Sequence, residues 1–156
     1  IDGAHFTPQH RERILIAAPM HDIGKVSTPD HILLKPARLD DDELEIMRRH
    51  ARIGHDILTG SDSPMIQMAA EIALSHHEKY DGSGYPNGLK QEEILLEARM
   101  LSIIDVFDAM THKRVYKDAF STEEALDYIR NQKGKHFDPE LVDIFISNIE
   151  GILDID

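Results

Sequence analysis

The stretch Ala73-Leu-Ser-His-His-Glu-Lys-Tyr-Asp-Gly-Ser-Gly-Tyr-Pro86 sets the reading of the chain. Two adjacent histidines close an apolar-periodic segment, and a turn-rich loop with acid, glycine, tyrosine and proline follows. Upstream, Ser63-Pro64 is a helix start, and Ile66, Ala69, Ala70, Ala73 and His77 share one helical face.

The same pattern recurs on either side. Thr7-Pro8 opens a first helix in which Ile14, Ala17, Ala18 and His21 align; Pro19 should bend it and Gly24 end it. An irregular connection is expected from Val26 to Leu39. Asp40 to Glu43 then supply an acidic start to a second helix, with Ile46, His50, Ile53 and Ile57 on one stripe. After the loop from Glu78 to Lys90, a fourth helix from about Glu97 to Thr111 aligns Ala98, Leu101, Asp105 and Ala109. Ser121 and Glu124 have capping-box spacing for a fifth helix, ended by Lys133-Gly134-Lys135, and Asp138-Pro139 caps a last one running towards Gly151. No period-2 run supports a strand. The expectation is one all-α domain, a single helical bundle of about six helices.

Composition narrows the chemistry. The 156 residues suit one core, and with no cysteine any metal must be held by nitrogen and oxygen. No apolar run reaches the roughly 20 residues needed to span a bilayer, so a cytoplasmic location is expected. A formal charge of −12 argues against a nucleic-acid polymer as partner. It leaves room for a small anion, because bound cations reverse the field inside one cleft.

His21, His50, His77 and Asp105 each lie on the apolar stripe of a different predicted helix, where a polar side chain must be satisfied. A lone histidine in such a place is ordinarily a core residue bonded to a carbonyl. Four on converging stripes can instead share a metal centre, as inward histidines and carboxylates do in di-metal bundles. Asp22 and His76 adjoin two of them, and neighbours on a helix point about 100° apart, as ligands of two metals do.

His21-Asp-Ile-Gly-Lys25 together with His76-His-Glu-Lys-Tyr-Asp-Gly-Ser-Gly-Tyr-Pro86 resembles the HD-GYP family, metal-dependent phosphodiesterases of the HD superfamily that hydrolyse cyclic di-GMP. The likeness continues through Leu34-Lys-Pro36, Asp105-Val-Phe-Asp108, Arg114-Val-Tyr-Lys117 and His136-Phe-Asp-Pro139. It implies metal ligation by His21, Asp22, His50, His76, His77 and Asp105. Two or three divalent ions are implied, iron or manganese first, with zinc, magnesium and nickel as alternatives. His21, Asp22 and Lys25 would carry catalysis; Lys25, Tyr85, Arg114 and Lys117 would meet the substrate. The reaction implied is attack on phosphorus by a metal-activated hydroxide, giving pGpG or GMP. Glu78 and Asp81 are read as ordering the loop.

The resemblance also implies partners: cyclic di-GMP, a diguanylate cyclase or adaptor at the GYP loop, an upstream sensor or receiver domain, and a homodimer. In the family, helices before the HD motif add a Glu and a His to the cluster, whereas 20 residues precede His21 here. An N-terminally truncated HD-GYP domain over residues 1–156 is therefore expected. His10 does not replace the upstream ligands, because along one helix it lies about 16 Å from His21, and it reads as solvated. The alternatives are a catalytically incomplete cyclic di-GMP-binding or docking module, and an HD hydrolase of another nucleotide phosphoester.

Overall fold

Thr7 accepts a hydrogen bond from the His10 amide at 3.2 Å and Pro8 fills the first turn, so α1 runs Pro8–Ala17. The computed structural model describes residues 6–113 and 117–153. Pro19 does more than bend α1. The chain tightens into a 3₁₀ turn over Ala18–Met20, and His21 follows that turn instead of lying on the α-helical stripe. A second 3₁₀ segment, Ile23–Ser27, and a single-turn helix, α2 (Asp30–Leu33), occupy much of the region expected to be irregular.

The expected second helix is two helices in series. Asp40 and Glu43 form a reciprocal capping box, at 2.8 and 3.0 Å, that starts α3 (Asp41–Arg48). At Arg49 the ladder tightens to an i−3 bond onto Ile46, and α4 (His50–Leu58) resumes. Ile57, placed by periodicity on the apolar stripe, is 48% exposed there. α5 (Pro64–Ser75), α6 (Leu96–Thr111), α7 (Thr122–Asn131) and α8 (Pro139–Leu153) match the expected positions. Ser121 and Glu124 make the expected capping box at 2.8 and 3.2 Å. The fold is all-α, and among the described residues no strand forms. The same residues contain no helix long and apolar enough to cross a membrane.

Two apolar clusters fill the interior. Ala17, Leu58, Ala69, Ala70, Ile72 and Ala73 pack where α1, α4 and α5 meet. Ile103, Ile129, Phe137, Leu141 and Val142 join α6, α7 and α8. α6 contributes to both, with Leu101 on the first and Ile103 in the second, and so links the halves.

The 3₁₀ segment after His21-Asp22 lies directly on α4. A Cβ on Gly24 would stand 1.9 Å from the His50 carbonyl oxygen and 2.6 Å from the Gly54 amide nitrogen. Both neighbours are backbone, so a side chain can be accommodated only if the two segments part. Gly24→Ala should therefore destabilise the protein by about 1–3 kcal/mol or more. Gly151→Ala, at a helical position with nothing within 4 Å, should be neutral or stabilise by up to about 1 kcal/mol. Denaturant unfolding of both variants checks the contrast, and equal effects would contradict this packing.

Candidate metal centre

The close approach of Gly24 to α4 brings the His21-Asp22 turn against the first residue of α4, His50. The end of α5 delivers His76 as its C-terminal cap, with His77 one residue on. His50 and His76 are buried, at 1% and 3% exposure. One ligand atom from each of Asp22, His50, His76 and His77 lies within 4.8 Å of the others. Nε2 of His77 is 3.1 Å from Nε2 of His50, which is 3.4 Å from Nε2 of His76.

The tautomers follow from the backbone. Nδ1 of His50 lies 2.6 Å from the Met47 carbonyl, that of His76 2.9 Å from Ala73, and that of His21 2.7 Å from Ala18. A carbonyl oxygen only accepts, so each Nδ1 carries a proton and donates it. In the neutral rings Nε2 is then a bare lone pair. Such lone pairs cannot bond one another, and they repel Asp22 Oδ1, which lies 3.3 Å from His50 Nε2 and 3.5 Å from His76 Nε2. Extra protons or a cation must separate them. Imidazoles held through Nδ1 by carbonyls, with Nε2 converging, are oriented as metal ligands are.

His21 and Asp105 extend the group. His21 Nε2 lies 3.2 Å from Asp22 Oδ2 and 3.5 Å from Asp105 Oδ1. Among the described residues, neither His21 Nε2 nor Asp22 Oδ1, both buried, has a hydrogen-bond partner. Burial works against charge on His21, but the Asp105 and Asp22 carboxylates prevail and lift it to about 10. Asp22 resists burial through His21, His50, His76 and Lys25, and stays far below the usual carboxylate range. The Asp105 carboxyl is lowered chiefly by His21. Burial, then His76 and His50, push His77 down to about 2, leaving a neutral imidazole. Two orphaned buried atoms amid nitrogen and carboxylate donors fit a divalent cation, and this His/Asp cluster can hold one.

Around the cluster, Lys25 Nζ pairs with Asp22 Oδ2 at 2.9 Å. The loop after His77 folds back over its own start. A Cβ on Gly84 would meet the Lys79 amide nitrogen at 2.4 Å and the His77 carbonyl at 2.5 Å. Inside the loop the buried Glu78 carboxylate accepts from the Asn87 and Leu89 amides at 2.7 and 3.1 Å, while Asp81 accepts from the Ser83 amide and hydroxyl. The Tyr80 and Asp81 amides bond the His136 and Lys135 carbonyls, tying the loop to the turn before α8. Tyr85 thereby stacks on His77, with centroids 4.9 Å apart and planes 17° from parallel. Burial holds its phenol up at about 12.

Two sequence expectations fare differently. His10 is not solvated: its Nε2 lies 2.6 Å from the buried Glu97 carboxylate and its ring stacks on Phe6. Glu97 was read only as a helix start, and its being an acid on the buried side of α6 was the available signal. Lys117 is exposed and lies over the Phe120 ring, lining a groove with Val106, Met110 and Tyr128. Arg114 lies outside the described residues. Sequence reading also missed Arg48, whose guanidinium sits 5.0 Å above the Tyr85 ring.

An HD-domain family model matches residues 4–141. The chain is 52% identical over 133 residues to the cyclic di-GMP phosphodiesterase response regulator RpfG of Xanthomonas campestris pv. campestris, covering 85% of this chain and 35% of that protein. It is 47% identical over 132 residues to the 3'3'-cGAMP-specific phosphodiesterase 2 of Vibrio cholerae, covering 85% of this chain and 25% of that protein. The chain thus spans about a third or less of the length of these relatives. Among solved structures, an HDG"Y"P protein of Bdellovibrio bacteriovorus superposes with a TM-score of 0.66 at 20% identity, over 90% of this chain and 45% of that one. With an HD motif and a GYP loop meeting at one histidine–aspartate cluster, the chain belongs to the HD-domain family.

Proposed function

We propose that the chain is the hydrolytic domain of a metal-dependent phosphodiesterase acting on cyclic di-GMP. The observation that carries this reading is the convergence of the His21, His50 and His76 Nε2 atoms on Asp22, at 3.2, 3.3 and 3.5 Å, all three rings held through Nδ1 by carbonyls. In this reading residues 1–156 form one HD-GYP domain. His21, Asp22, His50, His76, His77 and Asp105 hold two or three divalent ions, and the donor set without thiolate favours iron or manganese. When bound, such ions supply Lewis-acid charge and a nucleophile at neutral pH.

The chain's own residues orient and neutralise. Lys25, held beside the cluster by Asp22, is positioned to meet a non-bridging phosphate oxygen and offset charge developing there. Tyr85, protonated and stacked on His77, walls one side of the cluster and carries the Arg48 guanidinium over its ring. The resemblance supplies Arg114 and Lys117 as further phosphate contacts. The reading places the reaction in the cytoplasm, with a sensor or receiver domain joined to this one and the GYP loop open to a cyclase or adaptor. The 47% identical relative named for 3'3'-cGAMP makes a hybrid cyclic dinucleotide the second substrate to test.

Asp22→Ala should lower metal content and cut cyclic di-GMP hydrolysis by about 100-fold or more. Arg114→Ala and Lys117→Ala should each weaken substrate binding by about 10-fold to 100-fold, the worth of one charge-assisted hydrogen bond, with metal content unchanged. Elemental analysis with product chromatography separates the two classes, and equal metal loss in all three would overturn the division. Chelation should abolish hydrolysis and manganese or ferrous iron restore it; turnover surviving metal removal would sink the reading.

A further inference from the structure

Beside the cluster, and separated from it by one aromatic ring, runs a groove of about 440 Å³ between the α3–α4 junction and the loop after His77. Arg48, Arg49, Arg52 and Ile53 form one wall, and Tyr85 and Pro86 the other. These three arginines come from five consecutive positions of a chain whose formal charge is −12. Glu45 and Asp56 also line the groove, so its charged side chains sum to one positive charge (three arginines less two carboxylates).

The side chains are already arranged. The Arg48 guanidinium lies over the Tyr85 ring, which also stacks on His77 of the cluster. Arg52 donates from Nη2 to the Asn87 side-chain oxygen at 3.0 Å, which fixes it against the loop. Arg49 adjoins the ligand His50 in sequence. A guanidinium laid on an aromatic face makes a flat platform for a base. Planar arginine forks match the oxygens of a phosphodiester.

We propose that this groove takes the half of a cyclic dinucleotide that is not being cleaved, its purine against Tyr85 and Arg48 and its phosphate on Arg49 and Arg52. The assignment rests on the phosphodiesterase reading above. A molecule with one phosphodiester at the metal cluster carries its second one nucleotide away, and on this side the chain offers arginine there. The groove thus selects for a two-phosphate ring over a single phosphodiester, and it draws an anion toward the cluster across an otherwise acidic surface.

The test is equilibrium binding of a slowly hydrolysed phosphorothioate analogue of cyclic di-GMP to the metal-loaded chain. The Arg48→Ala/Arg52→Ala double variant should bind it about 10-fold to 100-fold more weakly, with metal content unchanged. Glu45→Gln removes a repelling carboxylate and should tighten binding by about 2-fold to 5-fold, a gain that no folding defect produces. Asn87→Ala, which frees the loop but leaves the arginines, should have a smaller effect than the double variant. Unchanged affinity in the double variant, loss of metal in step with affinity, or no binding by the parent chain would each overturn the assignment. If the parent chain binds the analogue through these arginines yet does not hydrolyse cyclic di-GMP, the phosphodiesterase reading fails and the groove assignment stands.

Discussion

Backbone meets backbone where the 3₁₀ segment Ile23–Ser27 crosses α4, with no room for even one methyl group on Gly24 between it and the His50 carbonyl. That contact fixes how the His21-Asp22 turn faces His50, and through His50 the end of α5. Gly54 continues the same seam, its missing side chain leaving space against Ala73 and Ile23. Packing and chemistry share one cause here. Small residues let the segments approach, and the approach crowds three imidazoles and a carboxylate into a buried volume that needs positive charge.

The loop beyond His77 repeats the device. Gly84 is pressed against the backbone of His77 to Lys79, and the buried Glu78 carboxylate accepts from two loop amides, so close backbone packing and one buried acid hold the turn together. Tyr85 is therefore a rigid wall shared by the cluster on one side and the arginine groove on the other. The turn at Lys135–His136 anchors the loop from below, itself held by buried Phe137 and by the Arg99–Asp138 pair at 2.6 Å.

Much of this was legible from periodicity. His50 and Asp105 stood out as polar residues on apolar stripes, and Asp22 and His76 followed by adjacency; His77, expected on the stripe of the third helix, instead lies in the turn beyond the end of α5. His21 was found for a partly wrong reason: Pro19 ends α1 in a 3₁₀ turn, so His21 reaches the site from a turn and not from a helical face. The break at Arg49 was invisible because no proline interrupts the stretch from Asp41 to Leu58, and the ring of His50 bonding the Met47 carbonyl three residues back leaves no mark in the pattern. Long-range pairing hid the rest. Nothing local joins His10 to Glu97, 87 positions away. The arginine run beside His50 was plain in the sequence, but a run of charge ordinarily marks a solvated face, and only the folded loop shows Tyr85 beneath it.

The central claim is that the imidazoles present Nε2 lone pairs to a cation while Nδ1 stays bound to carbonyls. Nitrogen-15 NMR of the histidine rings during titration with diamagnetic Zn²⁺ tests it directly. The account predicts that His50 and His76 keep their Nδ1 protons throughout, while their Nε2 resonances move to metal-bound positions together with that of His77. The exposed rings of His31 and His112 should stay unchanged. Nε2 signals unmoved by equimolar Zn²⁺, or ligation through Nδ1 of His50 or His76, would contradict it.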